Sequence, residues 1–426
     1  MDNSIYTPGA GTLPPVLAGR DGVLHSISLA LNEVATVGRA RAQDVILVGP
    51  RGVGKTVTLT TYGAMAAAAG FEVVNLQAVA GHSGLVESLL QRSASRIAEQ
   101  AGPWTRAKRA FDRVASVSFG VAGVSAGVST HPRESGSSVV DPGTLAEALA
   151  ELAAEVRRET PNGGLLVTVD ELQVASNADL ALLAATLHRL NVDYPRSSVV
   201  FAGTGLPHTP DVLRKAGVTH PDRLFLLEQL SVTLTETDAA YAIIEPARRV
   251  GVSWQPDAAT AIVRASNGYP AHLQQFAHTV WLTATGPDVI TVDDVRRALP
   301  LVESDLNRRT LGPRWDRMTD RQMEYLTALA LHGGHATTHV IAATLGRTPQ
   351  ELSWIRQDLI REGDIYSPQR GHLALAVPIF APYILAHYDE ARATSDTELL
   401  GLDAMRHNGA AAIAPRPLPA IAPPPT

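Results

Sequence analysis

The sequence predicts an α/β protein with a parallel β-sheet core, followed by an all-helical domain and a small helix-and-hairpin domain. Two observations support this fold class. Short apolar runs alternate with helical stretches as far as Leu230, which is typical of parallel strands joined by crossover helices. Beyond Leu230 the patterns are helical, until three short helices precede two short extended segments.

The composition limits the classes of protein to consider. The chain has 426 residues, of which 45% are hydrophobic, enough for two or three domains with buried cores. It has no Cys, which excludes disulfides, thiolate metal sites and Cys nucleophiles and fits a cytoplasmic location. No apolar run approaches the roughly 18 residues that span a bilayer, so no membrane association is expected. Because the net charge is −6, any nucleic-acid binding must come from a local basic patch.

Shifts in the pattern predict five segments. Residues 1–17 are rich in Gly and Pro and predict an extended lead-in. The other predicted segments are a sheet core at 18–235 with an insertion at 114–140, a helical lid at 236–312, a winged helix-turn-helix at 313–390 and a disordered, Pro-rich tail at 391–426.

The strands and helices of the first two domains follow from local periodicity. A helix is predicted from Asp21 to about Arg41, and Asp44–Val48 is an apolar run that ends in glycines, as a buried parallel strand does. Further strands are predicted at Phe71–Leu76, Leu165–Val169 and Ser198–Ala202. The predicted lid helices are Thr237–Val250, Pro256–Ala265, Ala271–Thr285 and Val292–Leu299.

The order of elements in the third domain predicts a winged helix-turn-helix. Thr319–Gln322 has the composition of a capping box immediately before the first helix. The predicted elements are helices at Met323–Leu331, Thr338–Leu345 and Pro349–Glu362, and hairpin strands at Ile365–Tyr366 and Leu373–Val377.

One motif carries a defined chemistry. The segment between the first predicted strand and the next helix matches the phosphate-binding pattern G-x-x-x-x-G-K-[ST]. Its residues are Gly49, Pro50, Arg51, Gly52, Val53, Gly54, Lys55 and Thr56. Glycines let backbone N–H groups face the phosphates, Lys55 reaches the β- and γ-phosphates, and Thr56 supplies a hydroxyl to Mg²⁺. The alternative is a glycine-rich turn with an incidental Lys, which is disfavoured because the chain has only three Lys.

Polar residues also end two other predicted strands. Asp170 would lie at the edge of the sheet, where it could hold Mg²⁺, and Glu171 would be placed to polarise the attacking water. The strand at 198–202 should lie between the phosphate loop and these carboxylates, so that Thr204 could hydrogen-bond the γ-phosphate or the water. The alternative for Asp170 and Glu171 is a solvated strand end, and the alternative for Thr204 is an ordinary strand-to-loop turn. Together with the phosphate loop, these residues predict ATP and Mg²⁺ as ligands.

These motifs, in this order, resemble those of initiator-like (Orc/Cdc6-type) and archaeal-type AAA+ P-loop ATPases, and more narrowly a bacterial group with a C-terminal winged helix. The resemblance covers about residues 18–390. The stretches that carry it are Gly19–Asp21, the phosphate loop, Asp170–Gln173, Gly203–Pro207, Arg223–Phe225 and Gly268–Pro270.

The resemblance implies a P-loop NTPase (AAA+-like) sheet that binds ATP or ADP. It implies that Gly19, Arg20 and Asp21 lie near adenine and that Thr204 is the sensor-1 residue. It further implies that Arg223 is an arginine finger or interface residue in an ATP-dependent homo-oligomer, because a guanidinium can stabilise transition-state phosphate charge. A surface salt bridge is the alternative role for Arg223.

The sequence departs from the resemblance in the lid. ATPases of this type usually carry a sensor-2 Arg shortly after a Gly, whereas Gly268–His272 contains no Arg. His272 could contact nucleotide or be a packed lid residue. The efficiency of hydrolysis is therefore open, while nucleotide binding is expected.

A winged helix often reads double-stranded DNA with its third helix. Between Arg314 and His372, however, seven Arg are balanced by seven acidic residues, and a neutral module is a weak phosphate binder. Arg347, Arg356 and Arg370 could still share one face. A protein-binding role for the domain is the alternative.

A second basic stretch lies outside this domain. Trp104–Arg113 combines four basic residues, one acid and two aromatics, and could follow a nucleic-acid backbone or be a helix with solvated charges. The alternation over Val117–Val128 then predicts a hairpin within the insertion, as a partner-contacting arm or a mobile decoration.

Two functions from different classes follow. The first is an AAA+-like ATPase that acts as a nucleotide-dependent switch on DNA or on a DNA-bound complex. The second is a signalling or scaffold ATPase of the STAND type, with slow hydrolysis and a winged helix that binds a protein partner. The missing lid Arg and the neutral winged helix favour the second, and the absence of C-terminal repeats counts against it.

Overall fold

The computed structural model describes residues 3–9, 11–38, 44–81, 84–99, 105–118, 140–286 and 288–394. The chain divides into two units. The sheet unit comprises Asp21–Val48 and Thr58–Gln229, and the helical unit comprises Met1–Arg20, Gly49–Val57 and Leu230–Thr426. The phosphate loop therefore groups with the helical unit, although it directly follows a strand of the sheet.

The sheet unit contains five parallel strands in the order β2-β3-β4-β1-β5. They are β1 (Asp44–Val48), β2 (Phe71–Gln77), β3 (Gly164–Asp170), β4 (Val199–Gly205) and β5 (Phe225–Gln229). The predicted α/β class and its parallel sheet are confirmed. The sequence pattern missed β5, because this edge strand is short and exposes Leu226 by 41%.

Eight helices of the described chain accompany the sheet. They are α1 (Asp21–Val37), α2 (Lys55–Ala68), α3 (Leu85–Glu99), α4 (Thr105–Ser118), α5 (Pro142–Glu159), α6 (Asn177–Asp193), α7 (Thr209–Lys215) and α8 (Pro221–Leu224). The core of the unit is formed by the central strands and α5, where Val167, Phe201 and Leu149 are almost fully buried. Burial on both faces explains why β1, β3 and β4 are continuous apolar runs.

The helical unit begins with a bundle that corresponds to the predicted lid. Its helices are α9 (Glu236–Arg249), α10 (Pro256–Ala265), α11 (Pro270–Thr283), α12 (Val292–Leu306) and α13 (Gly312–Asp316), with a π-helical turn at Asn307–Leu311. The prediction that this region is all helical was wrong in one detail. Two short segments, β6 (Ser253–Trp254) and β7 (Val289–Ile290), pair as a parallel ladder.

The C-terminal elements follow the predicted order, with two additions, a strand after the first helix and a helix after the hairpin. They are α14 (Asp320–Leu331), β8 (His335–Thr337), α15 (Thr338–Thr344), α16 (Ser353–Glu362), β9 (Ile365–Tyr366), β10 (His372–Leu375) and α17 (Phe380–Thr394). The hairpin of β9 and β10 is confirmed, and β8 adds a third antiparallel strand on the other side of β10.

Local hydrogen bonds explain where these helices begin. The Thr319 hydroxyl accepts from the backbone N–H of Gln322, and the Gln322 side chain accepts from the N–H of Thr319, so the predicted capping box is present. Thr348 and Glu351 make the same reciprocal pair, but the chain turns there and α16 begins only at Ser353. The prediction that Pro349 starts this helix was wrong.

The predicted lead-in is part of the core of the helical unit. Tyr6 is 2% exposed and packs edge-on against Trp254 and Trp281, with ring centroids 6.4 and 5.7 Å away. Its hydroxyl donates to the Ile243 carbonyl at 2.5 Å and accepts from Trp254 Nε1 at 2.9 Å. An extended, Gly- and Pro-rich segment can therefore be firmly held by one aromatic residue.

Two further boundaries differ from the predictions. Helix α4 continues to Ser118, so residues 114–118 of the predicted insertion are helical, and the predicted hairpin falls mostly on residues 119–139, outside the described residues. Helix α17 reaches Thr394, beyond the predicted domain end at residue 390, and residues 395–426 also lie outside the described chain. None of the helices in the described ranges is long and apolar enough to cross a membrane.

The basic stretch on α4 has the arrangement of an ordinary surface helix. Phe111 is 4% exposed and faces the core, while Arg106, Lys108 and Arg109 are exposed. Trp104 lies outside the described residues. The described part of this patch therefore supports the alternative of solvated charges.

Candidate nucleotide-binding site

Four successive carbonyl oxygens of the phosphate loop accept hydrogen bonds within the helical unit. The pairs are Lys55 Nζ to Pro50 at 2.8 Å, the Tyr269 hydroxyl to Arg51, the Ala271 N–H to Gly52 at 3.2 Å and Arg20 Nη2 to Val53 at 2.8 Å. Because a peptide is planar and trans, fixing a carbonyl on one side of the loop turns the next N–H to the other side. These contacts therefore orient the loop's N–H groups toward the face that a phosphate would occupy.

Gly52 is required at its position for two independent reasons. Its φ is +80°, in the left-handed region that favours glycine. A Cβ at this position would also lie 2.4 Å from the Tyr269 hydroxyl oxygen. The lid residue Tyr269 can therefore reach the loop only because residue 52 has no side chain.

Arg20 also binds the backbone of the phosphate loop. Its side chain is buried, and Nη2 donates to the carbonyls of Val53 and Ser231, at 2.8 and 3.2 Å. Burial lowers the pKa of Arg20, an effect opposed by the nearby Asp238 carboxylate. In the described structure Arg20 thus supports the phosphate loop, while Asp21 is exposed in the first turn of α1.

The sheet unit brings three predicted site residues together. Thr204 is fully buried, its hydroxyl donates to Asp170 Oδ1, and the backbone N–H of Glu171 lies 3.1 Å from both oxygens. Glu171 adopts φ +59°, a left-handed conformation that is uncommon for a residue with a side chain. The backbone therefore turns sharply after β3.

Gln173 was not predicted as a site residue, although it lies in a motif that carried the resemblance. Its amide nitrogen donates to Glu171 Oε2, and its Oε1 accepts from the backbone N–H of Leu206 at 3.1 Å. Gln173 therefore fixes the Glu171 carboxylate relative to the loop after β4. The sequence does place Gln173 three residues after Asp170, but this spacing does not predict a hydrogen bond to Glu171.

The strand order places these residues at one edge of the sheet. β4 lies between β1 and β3, as expected, and Thr204 is in register with Leu47, one residue before β1 ends. Parallel strands end at the same edge. The phosphate loop follows β1 directly, and Asp170 is the last residue of β3.

Arg223 is not brought together with the other predicted residues. It is exposed on α8, which precedes β5, and the start of β5 is in register with the start of β1. Arg223 therefore lies toward the opposite edge of the sheet from Thr204. Its role at a neighbouring subunit stays a prediction.

His272 is a packed lid residue. It is 5% exposed, its ring lies 4.7 Å from that of Tyr269, and Nδ1 has no hydrogen-bond partner in the described chain. Burial, assisted by the positive charge of Arg314, lowers the pKa of His272 to about 4. Burial also raises the pKa of the Tyr269 hydroxyl to about 12, so this group is a stable donor to the loop.

The phosphate loop also contacts the C-terminal elements of the same unit. The guanidinium of Arg51 donates from Nη1 to the carbonyl of Glu362, at the end of α16, at 2.9 Å. The sequence offered no signal for this contact, because the two residues are 311 positions apart.

Comparison with known families finds a match for the N-terminal part of the chain. Residues 16–201 match the family described as the AAA ATPase domain, so this segment is similar to AAA-type P-loop ATPases. A second match, over residues 308–384, is to a domain of unknown function. Among curated proteins, none matches the sequence.

Two solved structures share the fold of this chain. The ORC2 protein of Aeropyrum pernix, solved as ADPNP-ADP complexes, is 15% identical with a TM-score of 0.53, covering 90% of this chain and 98% of its own. The Walker-type ATPase PABY2304 of Pyrococcus abyssi is 16% identical with a TM-score of 0.54, covering 90% and 100%. The expected initiator-like AAA+ fold is confirmed.

Proposed function

We propose that the chain is an AAA+-like ATPase that acts as a nucleotide-dependent switch on double-stranded DNA or on a DNA-bound complex. The observation that carries the nucleotide part is the phosphate loop, in which four successive carbonyls are already hydrogen-bonded within the helical unit. A loop oriented in this way needs little rearrangement to bind phosphate, which favours affinity.

Lys55, Glu171 and Thr204 each have a role in this proposal. Lys55 exchanges the Pro50 carbonyl for phosphate oxygens, and Glu171, held by Gln173, polarises the attacking water. Thr204 senses the γ-phosphate or the water through its hydroxyl, which already connects Asp170 and Glu171.

Mg²⁺ is the proposed metal, with Thr56 and Asp170 as its protein ligands. In the described ranges no group of three or more His, Asp or Glu could hold a metal ion. That fits Mg²⁺ in a nucleotide site, which usually takes only one or two protein ligands beside phosphate oxygens and water. When bound, the ion neutralises charge on the β- and γ-phosphates.

For DNA, the supporting observation is a set of three arginines in the C-terminal elements. Arg347, Arg356 and Arg370 form no ion pair within the described chain, and Arg347 and Arg370 are exposed. Gln357, on the same helix as Arg356, is also exposed. Cations without carboxylate partners are available to neutralise phosphates.

The second candidate, a STAND-type scaffold that binds a protein, is favoured by two observations in the same region. Arg314, Arg317, Arg321 and Arg361 form ion pairs with acidic residues of their own domain, which leaves fewer cations for DNA. Trp354 on α16 is 57% exposed, and exposed aromatic residues are enriched at protein interfaces.

The nucleotide site is tested by ATP binding and turnover of the wild type, Lys55→Ala and Glu171→Gln. Lys55→Ala should abolish ATP binding, whereas Glu171→Gln should bind ATP and stop turnover. Lys215→Ala, which removes an exposed Lys, is the matched control and should change neither measurement. Unchanged ATP affinity in Lys55→Ala would overturn the assignment of the site.

DNA binding is tested by measuring duplex affinity at several salt concentrations. Substitution of Arg347, Arg356 or Arg370 by Gln should weaken binding and reduce the slope of log affinity against log salt by about one for each phosphate that is no longer neutralised. Arg361→Gln, which removes an arginine paired with Asp358, is the control. If no duplex binds, or if affinity is flat with salt, the scaffold function is supported instead.

An ATP-dependent homo-oligomer is part of the proposal, with Arg223 reaching a neighbouring site. Its exposure on α8 supports this role, because a finger must project from its own subunit. Mixing Arg223→Ala with Glu171→Gln should restore turnover in mixed assemblies, since each protein supplies the group that the other lacks. Failure to restore turnover would remove Arg223 from the mechanism.

A further inference from the structure

The N-terminal segment forms a short loop with a closed neck. Residues 7–13, described except for residue 10, are called the N-terminal loop here. The Thr7 hydroxyl donates to the Leu13 carbonyl at 3.2 Å, which joins the two ends of the N-terminal loop. The backbone N–H of Thr7 also donates to Gln274 Oε1, on the lid helix α11, at 3.3 Å, directly after the buried Tyr6. The neck is therefore fixed both by its own hydrogen bond and by the lid.

The tip of the N-terminal loop lies against the phosphate loop, within the same helical unit. A Cβ at Gly11 would lie 3.7 Å from Cγ2 of Thr56, the proposed Mg²⁺ ligand that follows Lys55. The segment meets the phosphate loop a second time at its other end, where Arg20 donates to the Val53 carbonyl at 2.8 Å. The N-terminal segment thus contacts the phosphate loop at two points, three residues apart.

The tip also carries backbone donors that a ligand can reach. Gly9 and Gly11 are exposed, and among the described residues neither N–H has a hydrogen-bond acceptor. Because glycine has no side chain, a ligand can approach its backbone closely. Backbone N–H groups of glycine-rich loops are common phosphate donors. The N-terminal loop therefore offers, beside Thr56, the same donor chemistry as the phosphate loop.

We propose that the N-terminal loop contacts the phosphate groups of a bound nucleotide beside Thr56 and slows their release. The proposal rests on the proposed nucleotide site, since Thr56 marks the place of Mg²⁺ and the phosphates. A nucleotide between the tip and the phosphate loop can leave only when the tip moves away. The closed neck holds the tip in place, which reduces the entropy that is lost when the tip contacts a ligand.

The test is the rate at which the full-length chain releases radiolabelled ADP in the presence of Mg²⁺, after addition of excess unlabelled ADP. Thr7→Val keeps the shape of the side chain and removes the hydroxyl that closes the neck. It should speed release by roughly two- to tenfold, the range for one neutral hydrogen bond. Gly11→Val places a branched side chain at φ +75° beside Thr56, which distorts the tip, and should speed release as much or more.

Thr260→Val is the matched control. It makes the same substitution and removes the same kind of bond, from an exposed hydroxyl to the Pro256 carbonyl at 2.9 Å, on the lid helix α10. Thr260 makes no described contact with the N-terminal loop, so the release rate should be that of the wild type.

The other outcomes are also decisive. Release at the wild-type rate from both Thr7→Val and Gly11→Val overturns the proposal and leaves the N-terminal loop a structural segment. Thermal unfolding, followed by tryptophan fluorescence, is measured for each variant. Faster release that occurs only with a lowered unfolding temperature also overturns the proposal, because the effect then comes from the lid core around Tyr6. Unchanged ATP binding by Lys55→Ala would instead contradict the nucleotide site itself.

Discussion

The Tyr269 hydroxyl joins the lid to the backbone of the phosphate loop. It donates to the Arg51 carbonyl beside Gly52, whose lack of a side chain admits it. We expect Tyr269→Phe to weaken ATP and ADP about equally, by roughly fivefold, because the hydrogen bond orients the loop rather than contacting one phosphate. Tyr241→Phe, on an exposed tyrosine, is the control in the same calorimetric measurement. A weakening confined to ATP would contradict this role.

His272 makes stability depend on pH. The unfolded state binds a proton near pH 6.5, whereas the folded state does so only near pH 4. The neutral His272 ring therefore adds its full contribution to the free energy of unfolding above pH 6.5. This contribution, on the order of 3 kcal/mol, is lost as the pH falls from 6.5 toward 4.

Urea unfolding at pH 7 and pH 5, followed by tryptophan fluorescence, measures this effect. Trp254, Trp281, Trp315 and Trp354 all belong to the helical unit. In His272→Leu the free energy of unfolding should differ less between pH 7 and pH 5 than in the wild type. The substitution His339→Leu, at an exposed histidine, should leave the difference unchanged. Equal pH dependence in the wild type and His272→Leu would disprove the assignment.

At the scale of one helix, the start of α12 depends on a single carboxylate. Asp294 is 1% exposed and accepts from the backbone N–H groups of Thr291 at 2.8 Å and Thr285 at 3.0 Å. Asp294→Ala should reduce the free energy of unfolding by roughly 3 kcal/mol, because it removes the buried acceptor of two partly buried backbone donors. Asp293→Ala changes an exposed neighbour in the same turn and should cost less than about 0.5 kcal/mol in the same urea titration.

The elements that could be predicted from sequence are those with a strong local signal. β1, β3 and β4 are buried over their whole length and therefore appear as apolar runs. Short pairs such as β6 and β7, with two residues each, have no periodicity to detect. The local cap at Thr319 predicted the start of α14 to within three residues, whereas the similar pair at Thr348 placed the start of α16 four residues too early.

The residues of the candidate site also divide into those that the sequence predicted and those that it did not. Asp170, Glu171 and Thr204 could be predicted because the ends of adjacent parallel strands meet at one edge. The role of Tyr269 could not be predicted from the sequence, because its hydrogen bond with the loop joins residues 218 positions apart and gives no repeating pattern.

At the scale of the whole molecule, the N-terminal segment is part of a distant core. We expect Tyr6→Ala to destabilise the helical unit by about 3–5 kcal/mol, as for other large core truncations. Tyr6→Phe removes only the hydroxyl bonds and should cost about 1–2 kcal/mol. Leu13→Ala, at a residue of the same segment that is 49% exposed, is the control in tryptophan-monitored unfolding. Equal stability of Tyr6→Ala and the wild type would show that the segment does not hold the unit together.

The placement of Tyr6 also sets a time order for folding during synthesis. Its hydroxyl acceptor lies 237 residues further along the chain, and the indole of Trp281 that binds the Asn3 carbonyl lies 278 residues beyond it. At roughly 5–20 residues per second, the ribosome needs about 12 to 50 s to deliver the first of these partners. The strands of the sheet unit are all synthesised within that interval. The segment around Tyr6 must therefore wait, with its aromatic ring uncovered, until the sheet unit has emerged.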